Sequence, residues 1–195
     1  MDIFSYVVTH DAGFAPNPFG GLLTLATCKP RIRLHACKGD LIVGTGSTST
    51  VGNDKLVYAA RVSEVDSLED YGSQQEYAIK RPSARGQRWR KHGDNIYVKV
   101  NGEWTQRRNL HHSKREMIRD LSGKHVLVCR QFWYFGGNAI EIPERFQKLI
   151  KSGPGHKRVR DPLFTKGFLA WLITLPNGRL GMPEMDAAEE ESCCR

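Results

Sequence analysis

The sequence predicts an α+β domain with a compact, antiparallel, β-barrel-like core and a few short helices. Three observations lead to this fold class. The apolar runs are short and rich in β-branched and aromatic residues, Gly and Pro interrupt them at close intervals, and an Asn-Gly pair marks one tight hairpin. The length of 195 residues, 39% of them hydrophobic, is ordinary for one folded domain. We therefore expect a single domain over residues 1–183 and an acidic, flexible tail over 184–195.

The first half of the chain predicts short strands separated by a long loop. β-branched and aromatic runs indicate the strands, and a concentration of Gly and Pro indicates the loop. The expected elements are a strand at 3–9, a loop with two buried Phe at 11–21, a short strand at 22–27, a bend or short helix at 28–38, and an antiparallel strand pair at 41–47 and 56–62.

The second half predicts a hairpin, a buried strand and two apolar segments. Asn101-Gly102 is the strongest short-range hairpin signal, so residues 95–100 and 103–105 should pair. The polar stretch 66–92 is expected to be an irregular basic insertion with at most a short helix. The remaining elements are a strand at 126–129 that runs into the aromatic residues 132–135, a short helix at 143–150, and a core helix or strand at 163–175, between which periodicity does not decide.

Positive charge is concentrated in one segment. The chain has a net charge of +8, but residues 80–119 hold 12 basic and 3 acidic residues, a local net of +9. Such a segment suits a polyanion, and we expect nucleic acid as the partner, DNA more than RNA. Trp89 and Trp104 lie among these cations, where rings can stack on bases. The predicted phosphate-binding residues are Arg85, Arg88, Arg107 and Arg108, with a solvated basic loop as the alternative.

The sequence lacks the signals of several protein classes and sites. No stretch approaches the ~20 apolar residues of a membrane-spanning helix, and no basic lead opens the amino terminus, so we expect a cytoplasmic protein. Five cysteines, an odd number, predict reduced thiols, with Cys193 and Cys194 exposed in the tail. Residues 44–49 lack the Lys of a P-loop, and no Cys or His pair has the spacing of metal ligands. We expect no cofactor and no metal.

The order of several unusual strings resembles a known family. GFAPNPF at 13–19, TLATCKPRIR at 24–33, GDLIVGTGS at 39–47 and GDNIY at 93–97 are similar to the second family of nucleotide-modification-associated domains, over most of residues 3–145. The resemblance implies a role in DNA-modification and phage-conflict systems. It implies no particular reaction and no residue roles.

A second resemblance concerns the fold. Gly39-Asp40 and the apolar residues after it, followed by 56–65, are similar to the central strand pair of PUA-like domains, including the EVE and YTH branches. These folds recognise modified bases in pockets lined by aromatic rings. The resemblance therefore implies a PUA-like core with a base-binding pocket.

The aromatic run 132–135 supplies candidates for such a pocket. Alternate rings of a strand face opposite sides, so two rings can enter the core while two face a ligand. Trp133 and Tyr134 carry polar groups that suit a half-open site, where a base is stacked and its edge is hydrogen-bonded. The candidate base-edge readers are Asn17, Ser47, Asp94 and Asn95, residue types that also form turns.

Three functions remain open. The first is a nucleic-acid-binding module that recognises a modified or flipped base through Trp133, Tyr134 and the basic surface. The second is an enzyme that installs or alters a base modification. Its candidate catalytic residues are Cys28, in a basic segment that favours the thiolate, a histidine such as His111 or His112, and Asp94. A buried structural cysteine is the alternative for Cys28. A protein-binding adaptor is least favoured because of the local charge.

Overall fold

The architecture is described by a computed structural model for residues 1–184. The predicted tail, except for its first residue, and Cys193-Cys194 lie outside the described residues. The helices and strands are β1 (Ile3–Val7), β2 (Leu23–Leu25), α1 (Pro30–His35), β3 (Leu41–Thr45), β4 (Lys55–Arg61), β5 (Glu64–Ser67), α2 (Leu68–Ser73), β6 (Tyr97–Val100), β7 (Glu103–Gln106), α3 (Lys114–Leu121), β8 (His125–Cys129), β9 (Gln131–Tyr134), β10 (Ile140–Glu141), β11 (Lys157–Val159), α4 (Pro162–Ile173) and β12 (Gly178–Arg179), with short 3-10 helices at Gln75–Lys80, Arg88–His92, Gly136–Asn138 and Glu144–Leu149.

The main sheet is open and mixed. Its strands follow the order β11-β1-β3-β4-β9-β12, with β10 also beside β4. β1 is parallel to β3 and β12 is parallel to β9, whereas the other neighbours are antiparallel. The strands described in residues 1–184 form no closed barrel, so the α+β class is confirmed but the barrel-like, PUA-like core is not. A parallel pair requires a crossover, here through β2 and α1, which local turn signals do not reveal.

Two smaller sheets complete the strand structure. The second sheet has the order β2-β8-β5, and β6 pairs with β7 in a hairpin. Asn101 and Gly102 both have positive φ, 52° and 83°, as the predicted two-residue turn requires. The chain passes from the second sheet to the main sheet at Arg130, between β8 and β9.

The main sheet is buried on both faces. On one face, side chains such as Tyr58 and Tyr134 pack against the second sheet and α1. On the other face, side chains such as Leu41 and Trp133 pack against α4 and the 3-10 helix at Glu144–Leu149. The second sheet in turn packs against α2 and β6. Double coverage leaves few sheet residues open to a ligand, so sites are confined to loops and strand ends.

The structure defines two segments for which the sequence predicted no single regular element, residues 163–175 and 66–92. The apolar segment at 163–175 is α4, twelve residues long, with Phe168 and Leu172 fully buried. Residues 66–92 contain α2 and two 3-10 helices, and they bury Tyr71 and Tyr77 in the core below the second sheet. No helix within residues 1–184 has the length and apolar character needed to cross a bilayer.

Candidate active site

Cys28 lies in a tight turn between β2 and α1. Cys28 and Lys29 both adopt left-handed backbone conformations, with φ of 54° and 37°. Such conformations cost about 1–3 kcal/mol each for residues with a side chain, so surrounding contacts must hold them. The Cys28 N–H donates to Asp120 Oδ1 at 2.9 Å, and the Cys28 carbonyl accepts from Arg33 Nε at 2.9 Å. The turn therefore fixes the direction of a half-buried thiol.

The thiol begins a chain of three interacting side chains. Cys28 Sγ lies 3.5 Å from His112 Nε2, and His112 Nδ1 lies 2.6 Å from Asp120 Oδ2. A nucleophile, a base and a carboxylate that orients the base form the arrangement that activates cysteine and serine nucleophiles on unrelated folds. Both distances are within the range expected for such a site in the absence of substrate.

Buried groups hold the carboxylate of Asp120. Its Oδ2 also accepts from the Tyr97 hydroxyl at 2.8 Å. Arg33, fully buried, donates to the carbonyl of Asp120 and, at 2.7 Å, to that of His125. A Cβ on Gly123 would lie 2.6 Å from this guanidinium, so glycine leaves the space that Arg33 occupies. Buried core residues therefore fix the position of Asp120.

The loop before α3 positions His112. The Asn109 side chain accepts from the His112 N–H at 2.7 Å and donates to its carbonyl at 3.1 Å. Gln106 donates to the same carbonyl at 2.7 Å. A capping box formed by Ser113 and Glu116 then starts α3, whose last turn carries Asp120. The imidazole and the carboxylate are therefore tied to one helix.

The electrostatics favour a charged histidine. Burial by itself lowers the pKa of His112, but hydrogen bonds to Asp120 and Cys28 outweigh it and raise that pKa to about 9. Burial likewise opposes ionisation of Asp120, but its hydrogen bonds with His112 and Tyr97 hold its pKa below the usual value. At neutral pH His112 is therefore an imidazolium between the Asp120 carboxylate and the Cys28 sulfur. A positive charge beside a thiol stabilises the thiolate.

The pH dependence of alkylation reports this contact. At pH 6 we expect Cys28 to react with iodoacetamide about tenfold to a hundredfold faster than the same cysteine in His112→Gln. The raised pKa of His112 means that its charge is present at low pH and is lost as the pH rises through about 9. The two rates should therefore converge by about pH 10. Peptide mass spectrometry measures each rate.

Cys37 serves as the internal reference, because it is exposed and its sulfur contacts the backbone carbonyl of His35. Its alkylation rate should be the same in both proteins. Equal Cys28 rates at pH 6 would mean that His112 does not stabilise the thiolate.

A cleft opens in front of the thiol. It encloses about 300 Å³ and includes Cys28, Lys29, His112 and residues from the end of β1 and the following loop. Lys29 Nζ lies 4.3 Å from the centre of the Tyr6 ring, and burial lowers the pKa of this lysine. None of the residues that line the cleft is acidic. A substrate can therefore reach the sulfur in a positive environment.

The structure brings Cys28 to His112 rather than to His111. The ring of His111 stacks on Phe14 at 4.4 Å, and its Nε2 faces His92 Nδ1 at 2.9 Å. Burial and the neighbouring histidines lower the pKa of His111 to about 4. His111 lines the cleft, and of the two histidines that the sequence offered as a base, His112 is the one placed 3.5 Å from the thiol.

Asp94, the other residue predicted to act with a histidine, lies in a buried network with Thr24 and Tyr71. Its carboxylate accepts from the Thr24 hydroxyl at 2.7 Å and from the Tyr71 hydroxyl at 2.6 Å. It is 1% exposed, and burial raises its pKa. The carboxylate that contacts His112 is that of Asp120, which α3 presents to the imidazole at 2.6 Å.

Trp133 and Tyr134, which the sequence predicted to stack on a base, are buried in the core. They are 1% and 0% exposed. Trp133 Nε1 donates to the Leu175 carbonyl at 3.2 Å, and the Tyr134 hydroxyl donates to Asp11 at 2.6 Å. The alternation of the strand is as predicted, but both faces are covered and the polar groups have partners inside the protein.

The predicted base-edge readers separate into two groups. Asn17 accepts from the buried Lys80 ammonium at 2.8 Å, and Asn95 donates to the Tyr71 carbonyl at 2.6 Å. Both are 1% exposed and hold loops together, so neither is available to a base in this conformation. Ser47 differs, because it lines a cavity of about 580 Å³.

The predicted phosphate-binding arginines also separate. Arg107 donates to the Gly72 carbonyl at 2.9 Å and to the Asn95 side chain at 2.8 Å, so it ties α2 to the segment before β6. The residues that remain exposed are Arg85, Arg88 and Arg108.

Sequence reasoning missed Asp120 and Arg33. They contact the Cys28 backbone across 92 and 5 residues of sequence, respectively. One usable signal was present: the Ser113/Glu116 capping pattern starts α3 and places Asp120, seven residues after Ser113, on the same helix face. Nothing local indicates that this face meets Cys28.

The described residues contain no group of three or more His, Cys, Asp or Glu side chains arranged to hold a metal ion.

The family model that describes nucleotide modification associated domain 2 matches residues 1–191. No curated protein and no solved structure matches the chain.

Proposed function

The chain belongs to the nucleotide modification associated domain 2 family, and from this premise we propose that it is a cysteine-dependent enzyme that alters a nucleotide or a base within nucleic acid. The observation that carries the proposal is the linear contact of Cys28 Sγ, His112 and Asp120, at 3.5 and 2.6 Å. A structural cysteine needs neither a charged histidine nor an accessible cleft, and Cys28 has both.

The proposed reaction is group transfer at a carbonyl-type carbon of a nucleotide substituent. The Cys28 thiolate attacks this carbon and forms a carbon–sulfur bond, while His112 gives its proton to the leaving nitrogen as the carbon–nitrogen bond breaks. Water or an amine then loses a proton to His112, attacks the thioester carbon and releases the thiolate. The cycle restores the ion pair and consumes no oxidant or reductant.

Asp120 and Lys29 support these steps from fixed positions. Asp120 accepts a hydrogen bond from His112 Nδ1, so Nε2 of the same imidazole faces the Cys28 sulfur. Lys29 lines the cleft and adds positive charge where an oxyanion forms during attack.

The direct test is mass spectrometry of nucleosides from nucleotides, DNA and RNA incubated with the purified protein. A mass change that the wild type produces and Cys28→Ser does not would support the proposal. A mass change of equal rate in both proteins, or none with any substrate class, would overturn it.

We propose nucleic-acid binding as a second function, because a stacked aromatic pair lies in a basic cleft. Phe19 and Trp89 stack with ring centres 5.1 Å apart, and both line a cleft of about 350 Å³. Arg130 and Arg179 line it as well; Arg179 lies 5.6 Å from the Phe19 ring, and Arg130 also pairs with Glu64. Phe19 is 2% exposed, so Trp89 is the ring that a base can reach. A ring for a base beside cations for phosphates is typical of single-strand binding surfaces.

Removing the exposed arginines of the basic segment 80–119 should weaken binding without regard to base sequence. In the triple variant Arg85→Ala, Arg88→Ala and Arg108→Ala, the plot of log association constant against log salt should become shallower by about 2–3, since each lost phosphate contact removes about 0.7–0.9. Filter binding to single-stranded DNA at several salt concentrations measures this slope.

The matched control removes three exposed cations elsewhere, with the variant Arg145→Ala, Lys148→Ala and Lys166→Ala. Its net charge changes equally. If both triple variants showed the same loss, the effect would be one of overall charge and the binding surface would not be located here.

A further inference from the structure

A cavity of about 580 Å³ lies beside the Cys28 cleft, at the carboxyl ends of two parallel strands. β1 and β3 run parallel, and the residues that follow them, Thr9 and Ser47-Thr48, line the cavity. Loops at the carboxyl ends of neighbouring parallel strands are common ligand sites in sheets with this arrangement. The opposite wall is the loop Lys151–Gly155.

The lining has the chemistry of an anion site. The hydroxyl-bearing residues Thr9, Ser47 and Thr48 and the lysines at positions 29 and 151 line it, and no residue that lines the cavity is acidic. Ser47 Oγ also lies 2.9 Å from Ser49 Oγ, and Lys151 Nζ donates to the Ser152 carbonyl at 2.7 Å. Lysine acts as a point charge for phosphate, and hydroxyls add donors.

The hydroxyl-bearing turn is held in shape by its own backbone. The Ser47 carbonyl accepts from the N–H groups of Thr50 and Gly52, both at 3.0 Å. A Cβ on Gly46 would lie 2.1 Å from the Gly52 carbonyl oxygen, so only glycine allows the two ends of the turn to approach. A rigid turn presents its hydroxyls without reorganisation.

The cavity shares part of its wall with the Cys28 cleft. Val7, Thr9 and Lys29 line both, and Lys29 follows Cys28 directly in the chain. A ligand anchored in the cavity can therefore extend past Lys29 to the sulfur.

We infer that this cavity binds the phosphate of a single nucleotide and presents the rest of that nucleotide to Cys28, an inference that rests on the proposed function of Cys28. Its volume is in the range of small-molecule sites, about 300–1,000 Å³. The substrate class is then a free nucleoside monophosphate rather than a polynucleotide.

The test is calorimetric titration with nucleoside 5′-monophosphates and with the matching nucleosides, in a Cys28→Ser background that prevents turnover. We expect the monophosphate to bind about tenfold to a hundredfold more tightly than the nucleoside, as one or more charge-assisted hydrogen bonds would produce. Lys151→Ala and Thr48→Val should each reduce this preference, whereas Lys166→Ala, on the exposed face of α4, should leave it unchanged.

Thr48 is exposed and Lys151 half-buried, so neither change removes core packing, and melting curves verify folding. Equal affinity for nucleoside and monophosphate would overturn the inference, as would binding of oligonucleotides but not of monophosphates. If monophosphates bind as expected while no Cys28-dependent product forms, the phosphate site stands and the proposed reaction fails.

Discussion

Replacing Cys28 with serine is expected to reduce nucleotide-modifying turnover by about 10³-fold or more while leaving the fold intact. Loss of a single member of a nucleophile–base–carboxylate unit has effects of this size, because the remaining groups cannot form the covalent intermediate. The substitution changes one atom at a half-buried position, so stability should change little. Mass spectrometry of the nucleoside products under single-turnover conditions gives the rate.

His112→Gln should cause a loss of similar size, and the double variant should be no worse than either single variant. Residues that act as one unit show this non-additivity. Cys37→Ser is the control, because Cys37 is exposed and has no contact with His112. Full activity in His112→Gln would remove the histidine from the mechanism, and additive losses would mean that Cys28 and His112 act independently.

Trp133→Ala is expected to lower the free energy of unfolding by about 3–5 kcal/mol, the usual range for deletion of a large core aromatic. Trp133 is 1% exposed, packs between the main sheet and α4, and donates to the Leu175 carbonyl. Its removal leaves a cavity and an unpaired carbonyl. Urea denaturation measures the loss, and the folded fraction should keep the nucleic-acid affinity of the wild type.

Trp89→Ala is the matched variant, since Trp89 is a half-buried ring that stacks on Phe19. It should lose about 1–3 kcal/mol of single-strand binding free energy, the range for base stacking. The reverse pattern, with binding lost in Trp133→Ala and retained in Trp89→Ala, would restore the aromatic pocket that the sequence predicted in β9.

Elements controlled by neighbouring residues were predictable. The hairpin at Asn101-Gly102 requires only two positive φ angles, which those residue types adopt readily. The pairing of β3 with β4 follows from two apolar runs joined by a polar turn. The barrel-like core was not confirmed, because closure depends on which strands become edges, and β11 and β12 join the sheet from distant parts of the chain.

The sequence of β9 alone could not show that both faces of this strand are buried. Alternation indicates that Trp133 and Tyr134 point to opposite sides, but it does not indicate what covers each side. Here α4 covers one face and the second sheet the other. The polar groups of Trp133 and Tyr134 therefore form hydrogen bonds inside the protein, to Leu175 and Asp11.

The sequence by itself determined three features of this protein. They are its membership of the nucleotide modification associated domain 2 family, its concentrated basic segment and the cations beside Cys28. Only the tertiary structure decided which groups act with that cysteine. His112 and Asp120 lie 84 and 92 residues from Cys28, and they meet it because α3 packs beside the turn after β2. Reactivity depends on distances of a few ångströms, and such distances between remote residues are set by packing rather than by local sequence preference.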